Sequence, residues 1–124
     1  MTSLLKEATY IVRKSGKKDM FKEVDMIAKS EKLKKMLNDG FVKDCGCYNK
    51  VKLFVACGPK VYDKLLELKG TGVFHVPVIG IAHPSGANLG RVLCYLGQKE
   101  VQDSSYEWCR EKAEEAKAII SGFL

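Results

Sequence analysis

The chain has no apolar run long enough to cross a bilayer. Its longest, Val76 to Ala82, is interrupted by Pro77 and falls far short of the ~20 residues a spanning helix needs. No secretory signal pattern is present either, so a cytoplasmic protein is expected. Also missing are a Gly-x-Ser-x-Gly elbow, a Gly-x-x-x-x-Gly-Lys phosphate loop and any carboxylate pair in apolar surroundings. Their absence removes the usual signatures of serine hydrolases, P-loop nucleotide hydrolases and carboxylate acid–base catalysts. Asp44 and Asp63 fall in a loop and on a helix face, so no catalytic residue is assigned. With no repeat, low-complexity tract or dividing linker in 124 residues, one domain over 1–124 is expected.

Cysteines are five, an odd number, which without a secretory signal suits reduced thiols rather than a disulfide framework. Cys45-Gly46-Cys47 combined with Cys57, Cys94 or Cys109 fits no recognised metal or cluster spacing, and the last three lie on apolar patterns where a thiol acts as a small hydrophobe. No metal is expected. His75, alternating with Phe74 and Val76, reads as a half-buried structural histidine. Lysine and arginine number 21 against 15 acids, a net charge of +6. Lys14, Lys17 and Lys18 form one cluster, and Lys29, Lys32, Lys34 and Lys35 another. Such clusters fit phosphate attraction, to nucleic acid or a small nucleotide, or the solvated face of an amphipathic helix. Charge alone does not choose.

Ala8 to Val12 reads as a short strand followed by the loop Ser15-Gly16-Lys17-Lys18, after which Met20, Val24 and Ile27 recur at helical spacing. Ser30 is placed to cap a further helical stretch, with Leu33, Met36 and Leu37 facing a core and Asn38-Asp39-Gly40 as the stop. Two helices or one kinked helix fit equally. Phe41 to Lys50 reads as a loop and Val51 to Cys57 as a buried strand. Gly58-Pro59 opens a helix to about Leu68, with Val61, Leu65 and Leu68 on one face and Gly70 at its end. Thr71-Gly72 then turns the chain into a strand over Val73 to Ala82, with Pro77 at its start or on an edge. Two βα units in succession imply parallel pairing. Near the C-terminus Ser104 and Glu107 form a capping box. Cys109, Ala113, Ala116, Ile120 and Phe123 follow at alternating spacings of four and three, an apolar seam expected to pack on the sheet or a partner chain.

The apolar strand ends abruptly in His83-Pro84-Ser85-Gly86-Ala87-Asn88, ahead of a helix over Leu89 to Leu96. A buried strand that delivers a polar loop to a sheet edge is where α/β folds place their ligands. His83, Ser85, Asn88 and Arg91 could converge there near the free N–H groups of a helix start, a corner suited to a phosphate or a base. Each has a plainer use: His83 capping carbonyls, Ser85 and Asn88 capping the helix, Arg91 in a surface ion pair. The small polar run behind His83 favours the ligand role.

The motif His83-Pro84-Ser85-Gly86-Ala87-Asn88-Leu89-Gly90-Arg91 resembles the His-Pro-Ser or Asn-Pro-Ser motif that ends the last sheet strand in the uracil-DNA glycosylase superfamily. Val51 to Gly58, followed by the helix from Pro59, is similar to the strand, glycine and helix that precede that motif. Tyr10 to Leu96 can be laid on the family's second half. The resemblance implies that His83 faces the pyrimidine carbonyl, which gains charge as the glycosidic bond breaks. The family's opening strand and loop, with a water-activating Asp or Asn and an aromatic that stacks on the flipped base, finds no counterpart before Tyr10. The resemblance therefore implies a truncated fold that keeps a base or nucleotide corner.

These readings converge on the α/β class: a small three-layer domain with a partly parallel sheet of at least three strands, truncated and uracil-DNA-glycosylase-like. The expected function is non-catalytic binding of a nucleotide or nucleic acid through His83, Pro84, Ser85, Gly86, Asn88 and Arg91. Lys14, Lys17 and Lys18 add attraction for phosphate, and no cofactor or membrane is involved. Two alternatives stay open. One is an active glycosylase completed by a second chain, or by an acid such as Asp19 or Asp25. The other is a compact phage-type protein that sequesters a nucleotide second messenger or blocks a repair or immune factor. Because half a fold leaves a sheet edge and an apolar face bare, a homo-oligomer is expected, most simply a dimer, joined through the C-terminal seam or the first strand.

Overall fold

The computed structural model describes residues 10–12, 18–20, 23–47 and 50–123. The chain forms two compact units, Met1–Asn49 and Lys50–Leu124. In the first, β1 (Tyr10–Val12) pairs antiparallel with β2 (Lys18–Met20), Ile11 opposite Asp19. Met20, expected on a helix, lies in this strand, and Lys18, expected in a loop, begins it. Lys14 and Lys17 lie outside the described residues.

Two helices follow, α1 (Glu23–Lys29) and α2 (Glu31–Leu37), broken at Ser30. Ser30 takes an extended conformation and its Oγ accepts the Leu33 N–H at 3.3 Å, the N-cap that the sequence predicts. The expected stop at Asn38-Asp39-Gly40 does not form. The chain continues as a π-helical turn, Asn38–Val42, into a short α3 (Lys43–Cys45), with Gly40 and Phe41 buried. The reason is the spacing of Leu37 and Phe41: four apart, both buried together with Ile27, they hold the chain helical through residues with weak helix propensity.

The second unit is built on one parallel strand pair. β3 (Phe54–Cys57) and β4 (Val78–Ile81) run in register from Phe54 opposite Val78 to Cys57 opposite Ile81. Both strands are shorter than their apolar runs suggest, and Pro77 stands just before β4, where its carbonyl accepts the Phe54 N–H at 3.0 Å. Proline's missing N–H thus costs the ladder nothing. Among the described residues the strands form two separate pairs, not one sheet of three or more.

The crossover α4 (Pro59–Gly70) has proline in its first turn and buries Tyr62, Leu65 and Leu68. It ends where Gly72, at φ +85°, lets the N–H groups of Gly72 and Val73 reach back to Lys69 and Leu68 at 3.1 Å each. A 3₁₀ turn (Gly86–Asn88) leads into α5 (Leu89–Tyr95), closed by the same device at Gly97, and α6 (Ser104–Ser121) completes the unit. The first cap of α6 is Asp103, one residue before the expected Ser104: its carboxylate accepts from the N–H groups of Ser105 and Tyr106 at 2.8 and 3.2 Å.

Gly80 marks the tightest packing. A Cβ there would meet ring carbons of both Tyr62 and Trp108 at 3.1 Å, so the helices α4 and α6 close onto β4 only because this position is bare. The two rings meet edge to face, centroids 5.9 Å apart. Lys112 lies 4.5 Å from the Tyr62 centroid and pairs with Glu115 at 3.1 Å, while the Tyr62 hydroxyl also donates to Glu115 at 3.3 Å. Cys109, Ala113 and Ala116 from the predicted seam are buried, whereas Ile120 and Phe123 are exposed. Among the described residues no helix is long and apolar enough to cross a membrane.

Candidate functional site

The carboxyl ends of β3 and β4 lie side by side, as parallel pairing requires, and each hands its chain to a different structure. After β3 the chain turns at Gly58, whose φ of +99° is open to glycine but strained for other residues. Its N–H still donates to the Ile81 carbonyl at 2.9 Å, extending the ladder by one step. The carbonyl accepts the Tyr62 N–H at 3.1 Å, which starts α4. Gly58 has no side chain to cap that helix and the first turn itself carries no acid, so the positive end of α4 lacks a side-chain cap.

After β4 the chain continues to His83, whose Cβ would be 4.0 Å from a Cβ placed on Gly58. His83 and the start of α4 are therefore neighbours on one edge. Its side chain is exposed, as are Pro84, Gly86 and Ala87, while Ser85 and Asn88 are half-buried.

The backbone behind His83 is held tightly. Its carbonyl accepts two hydrogen bonds, from the Ser85 N–H and from Asn88 Nδ2, each at 2.9 Å, and the Asn88 N–H donates to the Ser85 carbonyl at 2.9 Å. Asn88 Oδ1 accepts from Arg91 Nη1 at 3.0 Å, and Arg91 Nε donates to Ser105 Oγ at 2.9 Å. Ser105 Oγ donates in turn to Asp103 Oδ1 at 2.5 Å. That hydroxyl first, with the Tyr106 and Ser105 N–H groups and the Arg91 charge, holds the Asp103 carboxyl below its ordinary value. Arg91 and Lys99 flank the Tyr106 ring, 5.5 and 5.7 Å from its centroid. The ring's hydroxyl fills the space a side chain on Gly90 would need.

The motif residues are thus brought together, in two groups. His83 faces outward with the backbone of Gly58 and the α4 terminus beside it. Asn88 and Arg91 are joined to each other, to the His83 carbonyl and to α6. Lys18 lies in the other unit. Ser105, Asp103 and Tyr106 complete the bracket, and no sequence motif singles them out: they come into reach only because α6 packs against α5. Gly58 was legible as a helix start, but its role as the bare, positive-φ neighbour of His83 depends on strand pairing.

Among the described residues no group of three or more His, Cys, Asp or Glu is placed to hold a metal. Cys94 and Cys109 are buried, Cys57 is half-buried and Cys47 exposed. Burial first, and the neighbouring Cys94, push the Cys109 thiol up. His75 is exposed and off the strand, not half-buried within it. No protein-family model matches the chain, and neither curated proteins nor solved structures give a match.

Proposed function

We propose that this chain binds a nucleotide or a nucleic-acid segment at the carboxyl edge of β3 and β4, without hydrolysing it. The observation that carries this reading is the uncapped start of α4 beside the exposed imidazole of His83. A helix N-terminus favours a phosphate, and a neighbouring imidazole can hydrogen-bond a base carbonyl or a second phosphate oxygen. The crevice beyond the carboxyl ends of parallel strands is the usual ligand position in α/β folds, and the net charge of +6 favours a polyanion. The likeness of His83-Pro84-Ser85 to the uracil-DNA glycosylase motif supports a pyrimidine as the base.

In this reading Asn88 and Arg91 hold the loop, and His83 beside the start of α4 meets the ligand. Glycosidic hydrolysis needs a positioned water as well as a group that stabilises the departing base. No acid stands among residues 57–60 or 82–88, and the one amide there, Asn88, is engaged with the His83 carbonyl and Arg91, which supports binding without hydrolysis.

The test is equilibrium binding of uridine monophosphate and of a labelled single-stranded oligonucleotide to the wild type and His83→Ala. Loss of the imidazole should weaken binding by about 1–3 kcal/mol while the melting temperature stays put. A wild type that binds neither probe refutes the proposal. Multiple-turnover uracil release by the purified chain refutes its non-catalytic part.

A further inference from the structure

The end of α5 and the stretch of α6 from Arg110 to Ser121 border an open cleft of about 570 Å³. Its walls are unevenly divided. Leu96, Ala113, Ala116 and Ile120 give it an apolar floor, and Arg110 and Tyr95 stand in the wall. Ala113, Ala116 and Ile120 recur three and four apart, so they form a strip along the helix. From Arg110 to Ile120 this strip runs about 15 Å at the α-helical rise, room for an extended alkyl chain of roughly eight to ten carbons. Leu96 is 61% exposed and Ile120 42% exposed, a large apolar area for two side chains that border the same hollow.

Its charges are equally one-sided. Glu114 and Lys117, both in the cleft wall, pair with each other at 3.1 Å. Arg110, half-buried, has a single hydrogen bond among the described residues, from Nη2 to the Lys99 carbonyl at 3.0 Å, and its Nε is enclosed with no acceptor. A guanidinium partly removed from water without an anion is costly; the enclosed Nε is sealed from the cleft, so an anion there would be met by the Nη groups. The Tyr95 hydroxyl makes no hydrogen bond among the described residues. Burial first, then the Cys109 thiol, keeps that phenol from ionising in its usual range, so it remains a donor. The cleft therefore holds one uncompensated positive charge and a neutral donor at one end of an apolar trough.

We propose that this cleft binds a single-chain aliphatic carboxylate, its headgroup on Arg110 and Tyr95 and its tail along Leu96, Ala113, Ala116 and Ile120. One positive charge matches one carboxylate, and a phosphate dianion would leave the site overcharged. The site is separate from the nucleotide edge and needs nothing from it.

Decanoate, decanol and acetate, each below any micelle-forming concentration, are titrated into the full chain by calorimetry, with sedimentation velocity run on the same samples. Decanoate should bind, decanol about tenfold more weakly for want of the charge-assisted bonds, and acetate not measurably. Arg110→Met, which keeps the apolar stem, should bring decanoate down to the level of decanol. Ile120→Glu, on an exposed residue that leaves folding intact, should weaken both ligands, while His83→Ala should change neither. Equal binding of decanoate and acetate, or decanoate binding indifferent to Arg110→Met and Ile120→Glu, overturns the proposal. So does a wild-type dimer that Ile120→Glu dissociates and decanoate does not disturb, because a second copy then fills the cleft.

Discussion

Replacing Gly80 with alanine tests the packing on which the second unit depends. The added methyl would lie 3.1 Å from Trp108 Cη2, 3.1 Å from Tyr62 Cδ2 and 3.3 Å from Lys112 Cγ, inside the ~3.5–4.0 Å at which carbon atoms attract. Neither ring can give way easily, since each is braced edge to face against the other. Overpacking of this kind costs about 1–3 kcal/mol. Against it stands about 0.4–1 kcal/mol gained because alanine stiffens the unfolded chain. The net loss should be about 1–2 kcal/mol, or about 4–15 °C in melting temperature for a unit of this size. Trp108 is the chain's one tryptophan, so its fluorescence during urea unfolding reports directly on the place where the methyl is inserted. In a Trp108→Leu background, followed by circular dichroism, the same glycine substitution should become neutral or stabilising, because the wall it strikes is gone. An equal cost in both backgrounds would refute the argument.

Arg91→Ala should lower stability by about 1–2 kcal/mol through loss of its bonds to Asn88 and Ser105, and Arg91→Lys should not rescue it, since one ammonium does not reproduce the directed guanidinium fork; full rescue in a melting experiment contradicts the bracket. At neutral pH a thiol reagent such as dithionitrobenzoate should label the exposed Cys47 promptly and reach Cys94 and Cys109 only on unfolding, and rapid native labelling of Cys109 would show that α6 does not bury it. Asp103 has a folded-state pKa below its unfolded value, so its contribution is present above the ordinary carboxylate range and disappears as pH falls through the folded value. The melting temperature of Asp103→Asn should accordingly fall less steeply on acidification than that of the wild type, and parallel slopes would remove this carboxylate from the account.

The elements that local chemistry controls were the ones the sequence made plain. Gly58-Pro59 and Thr71-Gly72 bracket α4 because positive φ and a missing N–H are properties of single residues, and Ser30 caps α2 for the same reason. The apolar runs before Gly58 and before His83 located β3 and β4, though hydrogen bonding trims both to four residues. What eluded local reading depends on distant partners. The π turn at Asn38–Val42 exists because Leu37 and Phe41 are both buried, which outweighs a stop signal written in Asn38, Asp39 and Gly40. The choice of Asp103 over Ser104 as cap could not be decided from the Ser104–Glu107 spacing, because Ser105 and Arg91 help to hold that carboxylate. In the loop after β4 the residue types pointed to a polar loop behind the strand, which the structure places there. Which side chains face outward and which are engaged within the protein emerged only once α6 was in place.

Ser105 connects two events that lie fourteen residues apart in the chain. Its hydroxyl receives Arg91 and donates to the carboxylate that caps α6, so the first turn of that helix cannot fray without slackening the loop that carries His83. Fraying is ordinarily a private affair of a helix end, at almost no free-energy cost. Here it becomes a shared coordinate. A ligand that stiffens the loop would slow hydrogen exchange at the Ser105 and Tyr106 amides although it touches neither. By the reciprocity of linked equilibria, a substitution that abolishes the cap would weaken such a ligand by at most the factor by which the ligand stabilises the cap.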